Sequence, residues 1–218
     1  MRSSLLASVL VLTACAHHPA ATVPMRSIYY PAAKPSDTVV VMLPGLKDRA
    51  LVFERARFVE AFQRHDFPAD LIAVDAHVGY YTNGTVLRRL HEDVMAMASQ
   101  RYAHVVLVGV SMGAYGAIRY AMAYPQGIDE IVLFSPFLGP FMRWIAEPGD
   151  EDFQQTWAWL RSSARPRIVL AYGHEDAFLA SDRKLRALLP PTDVATATGA
   201  HVWGTWHRLL EQLLQRGL

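Results

Sequence analysis

A serine flanked by glycines is the first feature of the chain that could do chemistry. Ser111 is the middle residue of the pentapeptide GVSMG, residues 109–113. The pattern G-x-S-x-G is typical of a sharp strand-to-helix turn that presents a nucleophilic hydroxyl, because the turn leaves no room for side chains at the two glycine positions. The pentapeptide alone is a weak signal, since any glycine-rich connection can have this form. An apolar run at 105–108 and a helix-like run after Met112 strengthen it.

A nucleophilic serine needs a general base, and the base needs an acid that orients it. Downstream of Ser111, the segment GHED at 173–176 follows one predicted strand and the segment GAHVW at 199–203 follows the next. The order serine, acid, histidine is the one expected when such a serine lies on a sheet of this kind. We therefore predict Asp176 as the acid and His201 as the base.

Other residues could hold these roles. Glu175 lies beside Asp176 but is expected to turn outward, and Asp182 is expected to cap a helix that begins near 181. His207 falls inside the predicted last helix, where a packing or surface role is simpler. His174 precedes the acid and could line the site instead.

The tetrahedral oxyanion of acyl transfer needs two N–H donors. One is predicted to be the backbone of Met112, the residue after the nucleophile. The other is predicted to be the backbone of Leu46, in the loop Pro-Gly-Leu that follows the strand at 38–43. Tyr81 and Trp203 are candidate substrate-lining residues.

The elements that must position these residues alternate between strand and helix. The predicted strands are 38–43, 69–74, 105–108, 128–134, 167–172 and 192–196. The predicted helices are 51–64, 85–101, the run after Met112 that Pro125 ends, 181–188 and 202–215. Strands that are apolar on both faces indicate a parallel sheet covered by helices on each side. Residues 80–84 are predicted as a loop. The interval 139–166, which holds Trp144, Trp157 and Trp159, is predicted as a small lid. Loops after parallel strands open at one edge of the sheet, which is where ligands bind.

These motifs together resemble the α/β-hydrolase family, and in particular serine esterases of the esterase-D type. GVSMG resembles the nucleophile turn, GHED the acid loop, and GAHVWGTW the His-x-Trp-x-x-Trp ending of small bacterial esterases. The resemblance runs from about residue 39 to the end and implies a mostly parallel sheet and no cofactor. The chain departs from the family by having Pro44 where histidine is usual, and by a short start that implies one or two missing edge strands.

Composition fits one globular domain, predicted at 37–218. Of the 218 residues 52% are hydrophobic and 19% charged, which excludes a disordered chain. The net charge of +1 and the lack of a basic stripe give no indication of a nucleic-acid partner. The nine histidines are scattered, so no metal site is predicted.

The first residues have the pattern of a secretion signal. Residues 1–14 combine an early arginine with a short apolar run, and Leu12-Thr13-Ala14-Cys15 resembles the bacterial lipobox. We predict a mature chain that begins at Cys15, is lipidated there and is thereby anchored to a bilayer in the bacterial cell envelope. An ordinary signal peptide with an incidental cysteine is the alternative. By resemblance to known lipoprotein sorting, Ala16 favours the outer over the inner membrane of a Gram-negative cell. Residues 15–36 are predicted as a tether with a short edge strand near 26–30.

The sequence therefore predicts a lipid-anchored serine hydrolase that acts on carboxylic esters through an acyl-enzyme intermediate. One alternative keeps the chemistry but acts as a thioesterase or as a deacylase of envelope acyl groups. The other is a non-catalytic lipoprotein that uses the hydrolase fold for binding.

Overall fold

The structure, a computed structural model, describes residues 19–139 and 150–218, and a seven-stranded sheet forms its centre. The strands are β1 Ser27–Tyr30, β2 Thr38–Leu43, β3 Asp70–Val74, β4 His104–Val110, β5 Glu130–Phe134, β6 Arg167–Gly173 and β7 Val194–Ala197. Their order across the sheet is β1-β3-β2-β4-β5-β6-β7. Strands β2 to β7 pair in parallel, and only β1 pairs antiparallel, with β3 at the edge. The predicted α/β class and mostly parallel sheet are confirmed.

Helices cover both faces of this sheet. They are α1 Val52–Arg55, α2 Phe58–Arg64, α3 Val78–Thr82, α4 Val86–Leu90, α5 Ala96–Arg101, α6 Met112–Ala123, α7 Asp150–Leu160, α8 Leu179–Arg186 and α9 Trp203–Gln215. A π-helical segment, His91–Met95, joins α4 to α5. Helices α3 to α8 contribute to the core on one face, and α1, α2 and α9 contribute to the core on the other. Strands such as β2 are buried on both sides for this reason.

Two local predictions were wrong. The predicted helix at 51–64 is broken, because Arg57 adopts a left-handed conformation with φ of 63° between α1 and α2. The break lets Phe53 and Phe58 both point into the core, where their ring centroids lie 5.8 Å apart. The predicted loop at 80–84 instead includes the end of the short helix α3, whose first turn is capped by the His77 ring accepting from the Gly79 N–H.

The chain before β2 contacts the domain already at Pro19, whose carbonyl lies against Gly79 of α3. The Tyr80 hydroxyl donates to the Thr22 carbonyl over 3.0 Å, and the Met25 N–H donates to the Asp93 carboxylate over 2.7 Å. The predicted edge strand is present as β1. Most of the predicted tether therefore packs on the sheet edge, while residues 1–14 and Cys15 lie outside the described residues.

The predicted lid interval contains α7, which packs on the face that holds α6. Phe153 and Trp157 are buried there, and the Trp157 indole N–H donates to the Leu138 carbonyl. Trp144 lies outside the described residues. Within 19–139 and 150–218, no helix is long and apolar enough to cross a bilayer.

Candidate active site

Ser111 is held in a strained turn between β4 and α6. Its φ and ψ are 54° and −112°, a combination that side-chain-bearing residues rarely adopt. The turn is fixed by the Ser111 N–H, which donates to the Phe134 carbonyl on the neighbouring strand over 2.8 Å. The hydroxyl therefore projects from the carboxyl edge of the sheet, at the N-terminus of a twelve-residue helix.

The glycines around Ser111 are required by close backbone approach. A Cβ added to Gly109 would lie 2.5 Å from the backbone of Ala114 in α6. A Cβ added to Gly113 would overlap the Leu43 carbonyl at the end of β2. The pattern G-x-S-x-G thus reflects contacts of the turn with its own helix and with the neighbouring strand, as the sequence predicts.

Three predicted residues form one continuous hydrogen-bonded chain. The Ser111 Oγ lies 2.9 Å from the His201 Nε2. The His201 Nδ1 lies 2.9 Å and 3.0 Å from the two Asp176 carboxylate oxygens. Side chains that are 90 and 25 residues apart along the polypeptide therefore meet at the edge predicted for them.

Asp176 is a buried carboxylate kept ionised by its donors. Burial raises the pKa of the Asp176 carboxyl, but hydrogen bonds from His201, from the Phe178 N–H and from the Ser135 hydroxyl outweigh burial and leave it below its usual value. The Phe178 N–H lies 2.8 Å from the carboxylate. An anion at this place orients the imidazole and stabilises an imidazolium.

The imidazole of His201 is held between two aromatic rings. The rings of Phe178 and Trp206 lie on it edge-to-face, each with a centroid separation of 4.7 Å. The Trp206 indole N–H donates to the Ser135 hydroxyl over 3.0 Å, and that hydroxyl in turn donates to Asp176. Both rotation and tilt of the imidazole are thereby restricted.

The predicted oxyanion donors lie on two adjoining segments. Leu46 and Met112 pack together with Val78 and Tyr81 in a small apolar cluster beside Ser111. Neither the Leu46 N–H nor the Met112 N–H donates to an acceptor among the described residues. Met112 is the first residue of α6, where backbone N–H groups lack partners within the helix. The two groups are thus available to a bound anion.

A model of the family Hydrolase_4, described as serine aminopeptidase, S33, matches residues 34–215. The chain belongs to this family. No curated protein matches the chain.

Solved structures resemble the chain in fold at low identity. S-formylglutathione hydrolase from Agrobacterium tumefaciens is 16% identical, with a TM-score of 0.64 and 88% of each chain covered. Est1E from Butyrivibrio proteoclasticus is 11% identical, with a TM-score of 0.64, covering 88% of this chain and 92% of that one. A monoacylglycerol lipase from Paleococcus ferrophilus is 16% identical, with a TM-score of 0.59, covering 89% and 99%. The α/β-hydrolase fold of this Hydrolase_4 member is thereby shown.

The alternatives weighed from the sequence take no part in the hydrogen bonds that link Ser111, His201 and Asp176 in this Hydrolase_4 protein. Glu175 and His174 are exposed, whereas Asp176 is buried. His207 lies on α9 and contacts Glu211 over 3.5 Å. Asp182 was expected to cap a helix, but it lies in the first turn of α8, with both carboxylate oxygens buried and without a hydrogen-bond partner among the described residues.

The two candidate substrate-lining residues are placed differently. The Tyr81 side chain packs on Met112, and its hydroxyl is buried against Gly116 without a hydrogen-bond partner among the described residues. The Trp203 ring packs edge-to-face on Phe53 and Phe58, and its indole N–H donates to the Asp48 carboxylate over 3.1 Å. Tyr81 thus lies beside the nucleophile, and Trp203 joins the loop after β7 to the loop after β2.

The sequence analysis did not predict all of the residues that hold Ser111, His201, Asp176 and their loops in place. Ser135 follows β5 directly, so a polar residue at the carboxyl edge of a predicted strand was a usable signal. Asp48 gave no such signal, because its partner Trp203 is distant in sequence. Asp75 holds the loop after β2 by accepting from Arg49 and from the Ala50 N–H.

Proposed function

We propose that the protein hydrolyses carboxylic esters by nucleophilic catalysis at Ser111. The observation that carries the proposal is the unbroken series of contacts from the Ser111 hydroxyl through His201 to buried Asp176. Such a series is the arrangement that makes a neutral hydroxyl nucleophilic. Membership of a family described as serine aminopeptidases supports the same nucleophile.

The tautomer of His201 follows from its partners. An ionised Asp176 can only accept, so Nδ1 carries the proton and donates to it. Nε2 is then left with a lone pair and accepts the hydrogen bond of the Ser111 hydroxyl. His201 can therefore take the proton from Ser111 without moving.

Two half-reactions follow. Ser111 Oγ attacks the ester carbonyl carbon while its proton passes to His201 Nε2, and the N–H groups of Leu46 and Met112 stabilise the oxyanion. The C–O bond to the alcohol breaks, the alcohol leaves with the proton from His201, and an acyl group stays on Ser111. Water then attacks the acyl carbon with His201 as base, releasing the carboxylic acid and the free serine.

Esters are proposed ahead of amides because the solved structures of similar fold include an S-formylglutathione hydrolase and a monoacylglycerol lipase. Because S-formylglutathione is a thioester, thioesters are the second class of substrate to test. The same residues would act on either bond, since only the leaving group differs.

The test is hydrolysis of short-chain p-nitrophenyl esters, with matched thioester and aminoacyl-anilide series. We expect Ser111→Ala to lower kcat by about a thousandfold or more. Ser27→Ala, an exposed serine on β1, is the matched control and should keep full activity. Wild-type protein that turns over no member of any series would favour the non-catalytic binding role, whereas a Ser111→Ala variant that retains turnover would show that Ser111 is not the nucleophile.

We also propose that Cys15 is lipidated and anchors the protein in the bacterial cell envelope. The support is the lipobox-like segment at 12–15 and the position of the chain's single cysteine within it. Intact mass measurement of the protein from membranes tests this. A mature chain beginning at Cys15 with added acyl mass is expected, and an unmodified chain that begins elsewhere would refute the anchor.

A further inference from the structure

The N-terminal segment reaches the domain at the same edge as Ser111. Because β1 runs antiparallel to β3, its first residue, Ser27, pairs with Val74 at the carboxyl end of β3. The preceding residue, Arg26, accepts a hydrogen bond at its carbonyl from the Asp75 N–H. The segment 19–26 therefore lies at the carboxyl edge of the sheet, where the loops that carry Ser111, Asp176 and His201 also open.

The predicted anchor is close to this edge along the chain. The Pro19 carbonyl lies against Gly79 in α3, where an added Cβ would overlap it. Cys15 precedes Pro19 by four residues, a span of at most about 14 Å even when fully extended. An acyl chain on Cys15 would therefore hold the carboxyl edge closer to the bilayer surface than the opposite edge of the sheet.

Exposed apolar side chains are found at this edge. Val23, Leu51 and Val202 are 72%, 40% and 53% exposed, and they are three of the five large apolar residues exposed among the described residues. Each lies in a segment at the carboxyl edge: Val23 before β1, Leu51 after β2 and Val202 after β7. Isolated apolar tips on loops around one edge are suited to insertion between lipid headgroups.

Hydrogen bonds tie these three segments together. The Trp203 indole, next to Val202, donates to Asp48, three residues before Leu51. Asp75 accepts from the Ala50 N–H and donates its own N–H to the Arg26 carbonyl, in the Val23 segment. The three apolar side chains therefore lie on segments that hydrogen bonds join to one another.

Cationic side chains lie on the same loops. Arg26 and Lys47 are exposed, and the Arg49 side chain is half exposed although it contacts Asp75. Asp48 and Asp75 are turned toward Trp203 and Ala50. Lysine and arginine near a membrane surface are attracted to anionic lipid headgroups.

We propose that the carboxyl edge of the sheet docks on the bilayer that holds the acylated Cys15, and that the substrates are acyl esters of amphiphiles in that bilayer. The docking surface is the set Val23, Arg26, Lys47, Leu51 and Val202. The inference rests on the proposed ester hydrolysis and on the proposed anchor, and it adds the orientation and the substrate class.

Fluorescence quenching tests the orientation. The lipid-modified Cys15 carries no thiol, so Leu51→Cys or Val202→Cys in the full lipidated protein can be labelled at one site with an environment-sensitive fluorophore. In vesicles of phosphatidylethanolamine and phosphatidylglycerol, brominated lipid should lower the emission at both positions by about twofold or more. Met97→Cys is the matched control, since Met97 is 49% exposed but lies on α5, away from the carboxyl edge, and its emission should not change.

Hydrolysis tests the substrate class. The triple variant Val23→Ser, Leu51→Ser, Val202→Ser should hydrolyse a fluorogenic diacylglycerol ester in the same vesicles about tenfold more slowly than the wild type. Its turnover of a soluble p-nitrophenyl ester should be unchanged, and Met97→Ser should keep both activities.

The outcomes separate the two proposals. Three results would each overturn membrane docking and leave the proposed turnover of soluble esters intact. They are equal quenching at Met97 and Val202, release of the wild type from vesicles, and a triple variant that hydrolyses the vesicle ester at the wild-type rate. A wild type inactive on every soluble ester would instead remove the proposed function.

Discussion

Two neighbouring carboxyl groups, Asp176 and Asp182, are held in opposite protonation states at neutral pH. Donors around Asp176 lower the pKa of its carboxyl, as described above. Burial, and then repulsion from Asp176, raise the pKa of the Asp182 carboxyl to about 9. Asp182 has no partner among the described residues for either oxygen, so nothing there offsets the loss of hydration on ionisation.

This difference predicts how stability changes with pH. Between the unfolded pKa of Asp182, near 4, and the folded value of about 9, only the unfolded chain loses the proton. Folding is therefore increasingly opposed by this group as pH rises. Asp182→Asn cannot ionise, so it should raise Tm by a few degrees at pH 8 and by much less at pH 4.

Thermal unfolding at the two pH values measures the effect, with exposed Asp37→Asn as the control. Activity at pH 7 should be retained in Asp182→Asn, because the wild-type group is already neutral there. An equal Tm change at pH 4 and pH 8 would show that Asp182 ionises normally in the folded protein.

Asp176→Asn, unlike Asp182→Asn, should abolish most of the catalytic activity. The amide keeps the volume of the carboxyl but can donate to His201 Nδ1, which stabilises the tautomer that cannot accept the Ser111 proton. We expect kcat on p-nitrophenyl esters to fall by roughly a thousandfold or more, with little change in KM. Glu175→Gln, one residue away and exposed, should be near wild type, and similar losses in both variants would mean that Asp176 does not orient the histidine.

Among single residues, the sequence predicted those whose side-chain chemistry and order along the chain both match the serine, acid, histidine pattern. Ser111, Asp176 and His201 were predictable because each follows a strand and the three residue types have distinct roles. The packing of Trp206 on the histidine loop follows from its place three residues after Trp203 on a helix. The Ser135 hydroxyl was not predicted, because its function depends on hydrogen bonds to Trp206 and Asp176, which are distant in sequence. The strain at Ser111 was predictable only because glycines mark it.

At the scale of elements, the turn between β4 and α6 depends on close packing against β2. Gly113→Ala would place a Cβ against the Leu43 carbonyl, which is backbone and cannot rotate away. We expect a loss of about 1–3 kcal/mol in unfolding free energy, or displacement of the turn and loss of activity.

Gly204→Ala is the matched control in the first turn of α9, where an added Cβ meets no atom within 4 Å. It should stabilise the protein by up to about 1 kcal/mol through helix propensity. Chemical denaturation compares the two variants, and a Gly113→Ala protein as stable and active as Gly204→Ala would contradict the packing of the turn.

The Asp48–Trp203 hydrogen bond joins the loop of one proposed oxyanion donor to the loop of His201. Asp48→Ala removes the acceptor and should lower kcat about tenfold by loosening Leu46 relative to Ser111. Asp48→Asn keeps an acceptor oxygen and should retain most activity. Steady-state kinetics decides, and equal rates of the two variants would show that the bridge is not needed.

Strands were better predicted than helix limits. A buried parallel strand is a continuous apolar run, so β2, β3 and β4 stand out in the sequence. The break between α1 and α2 carries no glycine or proline, and it follows from the packing of Phe53 and Phe58, which only the assembled core defines.

For the whole molecule, a parallel sheet explains how three distant residues meet. Loops that follow β4, β6 and β7 all open at the carboxyl edge, so Ser111, Asp176 and His201 converge without any local sequence proximity. The class of fold was therefore predictable from alternating apolar runs. The packing of residues 22–26 on α3 and on the π-helical segment could not be predicted. It depends on polar contacts such as those of Tyr80 with Thr22 and of Asp93 with Met25.

Covalent labelling with a fluorophosphonate, followed by peptide mass spectrometry, tests the central claim most directly. A phosphonate reacts with a serine hydroxyl only when a base and anion-stabilising donors act on it together. We expect one adduct, on the peptide that contains Ser111, and none after heat unfolding or in Ser111→Ala. A folded wild type that takes up no label, or an adduct on a different serine, would contradict the assignment of Ser111 as the nucleophile.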